Sequence, residues 1–165
     1  MKAKPFQITL VGDHCSGKTQ FLRCLRGEPL TPTEATLGPD MAHVKTNRDL
    51  LRLLDTSGSI PHFMMNSKWW KDSDAFLLLH DARSKTSTLQ EWVELLRSVT
   101  PTGHIYILQT HVEDSRAIPV EIKTEHCTYL GCIALTKQPN LSAILDQIHL
   151  ECKKSKSWLW GWWKA

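Results

Sequence analysis

The sequence predicts an α/β fold, a doubly wound, mostly parallel six-stranded sheet with helices on both faces. Three observations carry that expectation. Strand-like apolar runs alternate with helical patterns through nearly all of the 165 residues, as parallel strands joined by crossover helices require. The run AFLLLH at residues 75–80 is apolar almost without a break, the mark of a strand covered on both faces. The strand-like QITLV near the start runs through Gly12-Asp13-His14-Cys15-Ser16-Gly17-Lys18-Thr19 into a helical pattern. That spacing is GxxxxGK[ST], a phosphate-binding loop in the strand–loop–helix context it needs.

The elements follow in order. Residues 6–11 read as a buried strand and 18–26 as the helix after the loop, stopped by Gly27-Glu28-Pro29. Residues 30–40, punctuated by Pro32 and Pro39, read as loop. Residues 41–45 and 50–54 flank Thr46-Asn47-Arg48-Asp49 as an antiparallel hairpin, giving the sheet one antiparallel edge strand. A short helix is expected at 62–71 and a strand at 75–80. Residues 88–99 form an amphipathic helix that places Leu89, Trp92, Val93, Leu95, Leu96 and Val99 toward one side. A strand at 105–109 follows, then a helix at 119–129 closed by Gly131, a short strand at 132–135 and an amphipathic helix at 141–151. The domain is expected to cover residues 1–153, with a basic, Trp-rich tail at 154–165.

Composition fits one soluble globular domain, with 41% hydrophobic and 22% charged residues. Twenty Lys and Arg against 17 Asp and Glu are too nearly balanced to argue for nucleic acid. Five cysteines without a CxxC pair argue against a closed disulfide framework and for a reducing, cytoplasmic compartment. The eight histidines show no metal-ligand spacing and read as solvated or core residues. MKAKPF leads straight into the first strand, so no signal peptide is expected, and no apolar run approaches the ~20 residues a membrane span needs.

The loop chemistry can be stated from the residues. Backbone amides from Gly12 through Gly17 would converge on phosphate, helped by the partial positive charge of the helix N-terminus. Lys18 would reach the β and γ oxygens, and the Thr19 hydroxyl is a hard ligand suited to Mg²⁺. Asp55 lies 37 residues after Lys18 at a strand end and three before Gly58. A carboxylate there can hold Mg²⁺ through water, and the Gly58 amide can touch a γ-phosphate. Between them, Thr36 offers a hydroxyl placed to close onto metal and γ-phosphate.

With these residues the chain resembles the Ras-like small GTPases, the Rab branch in particular, over residues 6–153. GDHCSGKT is similar to the Rab-type GDxxxGKS/T loop, TLGPDM to the switch I segment TIGVDF, and DTSG to the DTAG that opens switch II. The resemblance implies the small G domain among P-loop NTPase folds. It implies that GTP or GDP with Mg²⁺ is bound by Gly12, Asp13, His14, Cys15, Ser16, Gly17, Lys18, Thr19, Thr36 and Gly58. Thr19, Thr36 and Asp55 would serve the metal. The base-reading motif NKxD falls on Thr110-His111-Val112-Glu113, where Glu113 keeps a carboxylate on a longer stem, His111 could stack on the base, and Thr110 lacks the bracing amide. The alternative is a loop that does not touch the base. The closing SAK motif appears as Leu135-Thr136-Lys137.

Hydrolysis departs further from the pattern. The family places a Gln directly after the DxxG glycine to orient the attacking water, and here that position is Ser59. Ser59 and Thr36 are the catalytic candidates. Cys15 replaces a glycine where a partner's arginine finger would enter, a group typically worth ~10³–10⁵ in rate. Slow intrinsic turnover with poor stimulation is therefore expected, with a redox-sensitive Cys15 thiol as a rival role.

The partner surface and the tail complete the reading. Effector or regulatory proteins are expected at switch I and switch II, where Phe63, Met64, Met65, Trp69 and Trp70 either form a binding patch or pack on the sheet. The chain is expected to be a monomer. Four of the seven Trp residues lie in the last eight positions, beside four lysines from Lys153 onward, and no cysteine follows Cys152 for prenylation. Trp158, Trp160, Trp162 and Trp163 suggest a reversible interfacial membrane contact, with packing on the domain or partner binding as rivals. The functional expectation is a slow GTP/GDP switch in membrane trafficking or signalling; its rival is a pseudo-GTPase adaptor without a nucleotide cycle. A P-loop kinase is disfavoured, since no arginine-rich lid follows Gly58 until Arg83.

Overall fold

The computed structural model describes residues 4–36, 38–118, 127–137 and 139–161, with the side chains of 86–87 and 156–161 left aside. Its elements are β1 (Gln7–Val11), α1 (Lys18–Arg26), β2 (Asp40–Lys45), β3 (Leu50–Asp55), α2 (Ile60–Met65) and α3 (Ser67–Trp70). They continue with β4 (Ala75–Asp81), α4 (Thr86–Val99), β5 (His104–Thr110), β6 (Cys127–Cys132), a 3₁₀ turn (Leu135–Lys137) and α5 (Leu141–Gly161). The strands form one sheet in the order β2-β3-β1-β4-β5-β6. Only the β2–β3 pair is antiparallel, so the expected doubly wound sheet with one antiparallel edge is present.

Strand alternation divides the core into two layers. On one face Leu77, Leu79, Tyr106 and Leu108 pack with Phe21 and Leu22 of α1 and with Leu141, Leu145 and Ile148 of α5. On the other face Phe76, Leu78, Ile105 and Ile107 pack with Leu89, Trp92 and Leu96 of α4 and with Phe63 and Trp70. β4 is buried along its whole length, as its unbroken apolar run requires. α1 starts and stops on glycines in the left-handed region, Gly17 at φ 88° and Gly27 at φ 69°. The Gly27 amide returns to the Arg23 and Cys24 carbonyls and closes the last turn.

Four local expectations need correction. The helix expected at 119–129 is overturned at its end, where residues 127–129 belong to β6; residues 119–126 lie outside the described residues. Thr128 and Tyr129 suit a strand, and β6 pairs in parallel with β5. Gly131 closes no helix. Ile107 pairs Tyr129 while Gln109 pairs Cys132, so β6 carries one extra residue, and Gly131 at φ 103° accommodates it. The strand expected at 132–135 therefore ends at Cys132 and gives way to the 3₁₀ turn. The helix expected at 62–71 is split at Asn66, whose side-chain amide donates to the His62 carbonyl at 2.8 Å. α5 runs to Gly161, beyond the expected 151, because no Gly or Pro interrupts the lysine-rich stretch after Glu151. Residues 162–165 lie outside the described residues.

Candidate functional site

A cavity of about 270 Å³ opens at the carboxyl ends of the central strands. Its floor is the loop after β1 and the first turn of α1, through His14, Cys15, Gly17, Lys18, Thr19 and Gln20. The first amides of a helix have no intrahelical partner, and no side chain caps α1, so that turn can accept an anion. Thr33 to Thr36 form one wall, Gly58 another, and Arg83 and His111 close the far side.

Two glycines make the loop geometry possible. A Cβ on Gly12, at φ 131°, would collide with the Leu79 carbonyl oxygen. A Cβ on Gly58 would collide with the backbone of Asp13 and His14, so the strand-end turn after β3 lies directly on the phosphate loop. Cys15 also takes the left-handed conformation, at φ 59°, and its side chain is exposed.

Lys18 is buried, and its ammonium donates to the carbonyls of Gly12 at 2.8 Å and Asp13 at 2.6 Å. Burial pushes its pKa down to about 8, against the opposing pull of Asp55 and Asp13. A buried cation lowered in this way gains from an added anion. Beside it three oxygens converge. The Thr19 hydroxyl donates to Asp55 Oδ2 at 2.7 Å and lies 3.2 Å from the Thr36 hydroxyl. The other carboxylate oxygen, Asp55 Oδ1, is buried and has no hydrogen-bond partner among the described residues. Burial raises the Asp55 pKa, opposed by the Thr19 hydrogen bond and by Lys18. Hydroxyl and carboxylate oxygens of this kind suit Mg²⁺, and a nearby dication would relieve the buried charge.

The residues at the end of β5 and after it act differently from expectation. Thr110 lacks an amide, yet its hydroxyl donates to the Ser16 carbonyl at 2.8 Å, so it braces the phosphate loop. His111, at φ 57°, donates from Nε2 to the Cys15 carbonyl at 3.0 Å, a bond that fixes its tautomer because a carbonyl only accepts. Glu113 is exposed and does not line the cavity. Leu135 is buried, 3.1 Å from where a Cβ on Gly17 would stand, while Thr136 and Lys137 are exposed and outside the cavity. Ser59 stands immediately before α2, with its amide on the Ser57 hydroxyl, and also lies outside the cavity wall.

Sequence reasoning missed an ionic cluster at the cavity's far side. Arg83 donates from Nε to Asp81 Oδ1 at 2.8 Å, from Nη2 to Asp81 Oδ2 at 2.6 Å, and from Nη1 to Asp114 Oδ2 at 3.2 Å. Arg116 adds a second fork to Asp114. Hydrogen bonds from Arg116 and then Arg83 hold the Asp114 carboxyl well below the usual range. Each aspartate lies two residues before an arginine, but Arg83 and Asp114 are 31 positions apart, and no local pattern marks those two as partners. The switch II residues divide: Phe63 and Trp70 are buried and stacked at 4.6 Å, whereas Met64, Met65 and Trp69 are exposed.

The family model described as "Ras of Complex, Roc, domain of DAPkinase" matches residues 7–113, more than half of the chain. The chain belongs to the Ras superfamily of small GTPases and is Rab-like. It is 27% identical over 140 residues to the Ras-related protein Rab11C of Nicotiana tabacum, covering 79% of this chain and 63% of that protein. It is 28% identical over 127 residues to human Ras-related protein Rab-3D, covering 70% of this chain and 58% of that one. A Ras and EF-hand domain-containing protein of Xenopus tropicalis is 29% identical over 126 residues, 72% of this chain but 17% of that protein. The chain thus spans less than two thirds of each of these relatives. The small G domain's family match ends at Glu113, so the ionic cluster's Asp114 and Arg116 fall just beyond it. Among the described residues no helix is long and apolar enough to cross a membrane.

Proposed function

We propose that this G domain is a GTP/GDP-binding switch that hydrolyses GTP slowly and acts in membrane trafficking or signalling. The observation that carries the reading is the Thr36 hydroxyl lying 3.2 Å from Thr19, which itself donates to Asp55. A loop residue is thereby drawn onto the start of α1, beside the Lys18 ammonium. Gly12 to Thr19 would hold the phosphates, Thr19 and Thr36 would ligate Mg²⁺, and Asp55 would hold it through water. Such a metal, when bound, would supply neutralisation of phosphate charge. Loss of the γ-phosphate would release Thr36 and Gly58 from that end, and partners reading switch I and the exposed Met64, Met65 and Trp69 would respond.

Slow turnover follows from Ser59. Its hydroxyl is short, lacks the paired donor and acceptor of an amide, and stands immediately before α2 outside the cavity wall. That same observation favours one second reading, a pseudo-GTPase adaptor that keeps the fold without a cycle. The Trp-rich end is read as a peripheral membrane contact, and the chain as a monomer.

The test is to denature the purified protein, identify released nucleotide by chromatography, and follow one round of GTP turnover. Bound GTP with turnover well below that of a Gln-bearing relative supports the switch. Rapid conversion to GDP sinks the argument from Ser59. A site that stays empty with added GTP and Mg²⁺ gives the adaptor reading, and Thr19→Asn would then leave partner binding intact.

A further inference from the structure

We infer that Arg83, and not Glu113, reads the base, so that the site selects a 6-oxopurine by its acceptors and is indifferent to the 2-amino group. This rests on the nucleotide reading proposed above and sharpens its ligand. The topology fixes which end of the cavity receives the base. The phosphate loop follows β1; Gly58 follows β3 on one side of it, and Arg83 and His111 follow β4 and β5 on the other. A triphosphate on the first turn of α1 with its γ end toward Thr36 and Gly58 extends its nucleoside toward Arg83 and His111. Both residues line the cavity there, and Glu113 does not.

The chemistry at that end is donor chemistry. Guanine N1 and N2 carry hydrogens and need a carboxylate, whereas O6 and N7 are acceptors and match a guanidinium. The carboxylates beside Arg83, Asp81 and Asp114, are both engaged by it, and Asp114 also by Arg116, while the carboxylate that lines the cavity itself, Glu34, belongs to the wall of residues 33–36 beside Thr36. Neither aspartate is free to accept from guanine. An arginine has five N–H donors, and three of those on Arg83 reach Asp81 and Asp114, which leaves one on each terminal nitrogen. The two carboxylates hold the guanidinium in place, so little side-chain freedom is lost when it binds a base. His111 cannot replace it as the reader of O6, because its Nε2 proton is already given to the Cys15 carbonyl.

The experiment measures affinities of the full chain for GDP, IDP, XDP and ADP in Mg²⁺ by fluorescent-nucleotide displacement. GDP, IDP and XDP are expected within about threefold of one another, since all three share O6 and N7, with ADP at least about tenfold weaker. Arg83→Lys keeps the charge but loses the fork, and should narrow the gap between IDP and ADP to within about threefold. Glu113→Gln should change no ratio. A GDP preference over IDP of tenfold or more that Glu113→Gln removes overturns the inference and leaves the nucleotide reading standing. Binding of none of the four overturns both. Where Arg83→Lys proves unstable, the unmodified chain still decides the matter: GDP and IDP alike with ADP at least about tenfold weaker supports the inference, and ADP binding as well as IDP overturns it.

Discussion

The indole of Trp92 donates from Nε1 to Asp13 Oδ1 at 2.8 Å, tying the middle of α4 to the phosphate loop. Trp92 is fully buried, and its ring meets Phe63 edge-on at 5.5 Å. Phe63 stacks on Trp70, whose own indole donates to the Phe63 carbonyl at 2.8 Å. One continuous packed chain therefore runs from the phosphate loop to the buried side of switch II. Trp92→Phe keeps an aromatic ring but strips a bond to a carboxylate. The expected cost is about 2 kcal/mol, read as a lower urea midpoint with an unchanged slope. Asp13→Asn keeps an acceptor and should cost less than half of that. Equal losses in both variants would place the effect in something other than this bond.

Gly58 and Gly12 are both closed to a side chain by backbone, at different places. At Gly58 an added Cβ meets the backbone of the phosphate loop first, whereas at Gly12 it meets the Leu79 carbonyl inside the sheet at a positive φ. Gly58→Ala should lose about 1–3 kcal/mol without any ligand, because the atoms it meets are backbone and must give way, and the nucleotide-dependent rise in Tm should also disappear. Gly12→Ala should lose about 2 kcal/mol or more without any ligand, as overpacking into backbone does. Thermal melts with and without GDP and Mg²⁺ measure both losses.

How far the sequence could be read depended on whether a feature was local. α1 was legible to the residue because its glycine loop and its Gly27 stop are both written in adjacent positions. The unbroken apolar run of β4 and the hairpin around residues 46–49 were legible for the same reason. β6 was not, since its strand identity rests on pairing with β5 across a bulge that no short window displays. At the site, Lys18, Thr19, Thr36, Asp55 and Gly58 were singled out from spacing, and the fold brings them together. Thr110 carries no amide to mark it as a brace in the sequence; its hydroxyl reaches the Ser16 carbonyl by tertiary placement. Arg83 and Asp114, 31 positions apart, meet only once β4 and β5 lie side by side.

Asp55 offers a test of the metal site that needs no turnover. Its Oδ1 is buried without a partner among the described residues, and burial penalises its charge. Asp55→Asn removes that charge while retaining an oxygen for Thr19, so unliganded stability should stay level or rise. In the GDP-loaded protein, Mg²⁺ at about 100 times its dissociation constant should add ~2.7 kcal/mol to the unmodified chain. Most of that increment should vanish in Asp55→Asn. Differential scanning fluorimetry with an EDTA-to-Mg²⁺ series measures both quantities. An undiminished Mg²⁺ increment in the variant would show that the carboxylate has no part in holding the ion.

The hairpin end of the sheet carries a pH dependence independent of the nucleotide site. Thr46 donates to Asp146 of α5 at 2.6 Å, and Asp49 lies 3.8 Å from His149 Nε2 and 3.4 Å from Lys153 Nζ. His149 is buried against Phe6, with ring centroids 4.6 Å apart. Burial first, and then Lys153, lower its pKa, and Asp49, Asp146 and Asp74 pull the other way without restoring it. Its folded pKa thus lies below the unfolded value of about 6.5. Between those two values the unfolded chain binds more protons, so stability is complete above pH ~6.5 and is lost as pH falls through the folded pKa. His80, also lowered chiefly by burial, contributes with the same sign. The lowered carboxylates Asp81 and Asp114 titrate at lower pH and leave this window alone, while Asp55, whose carboxyl burial raises, acts with the opposite sign and offsets part of the histidine effect. Urea midpoints should therefore drop between pH 7 and pH 5. His149→Gln should reduce that drop without abolishing it, since His80 still titrates. A variant whose midpoint falls as steeply as that of the unmodified chain would mean that His149 is not the group being protonated.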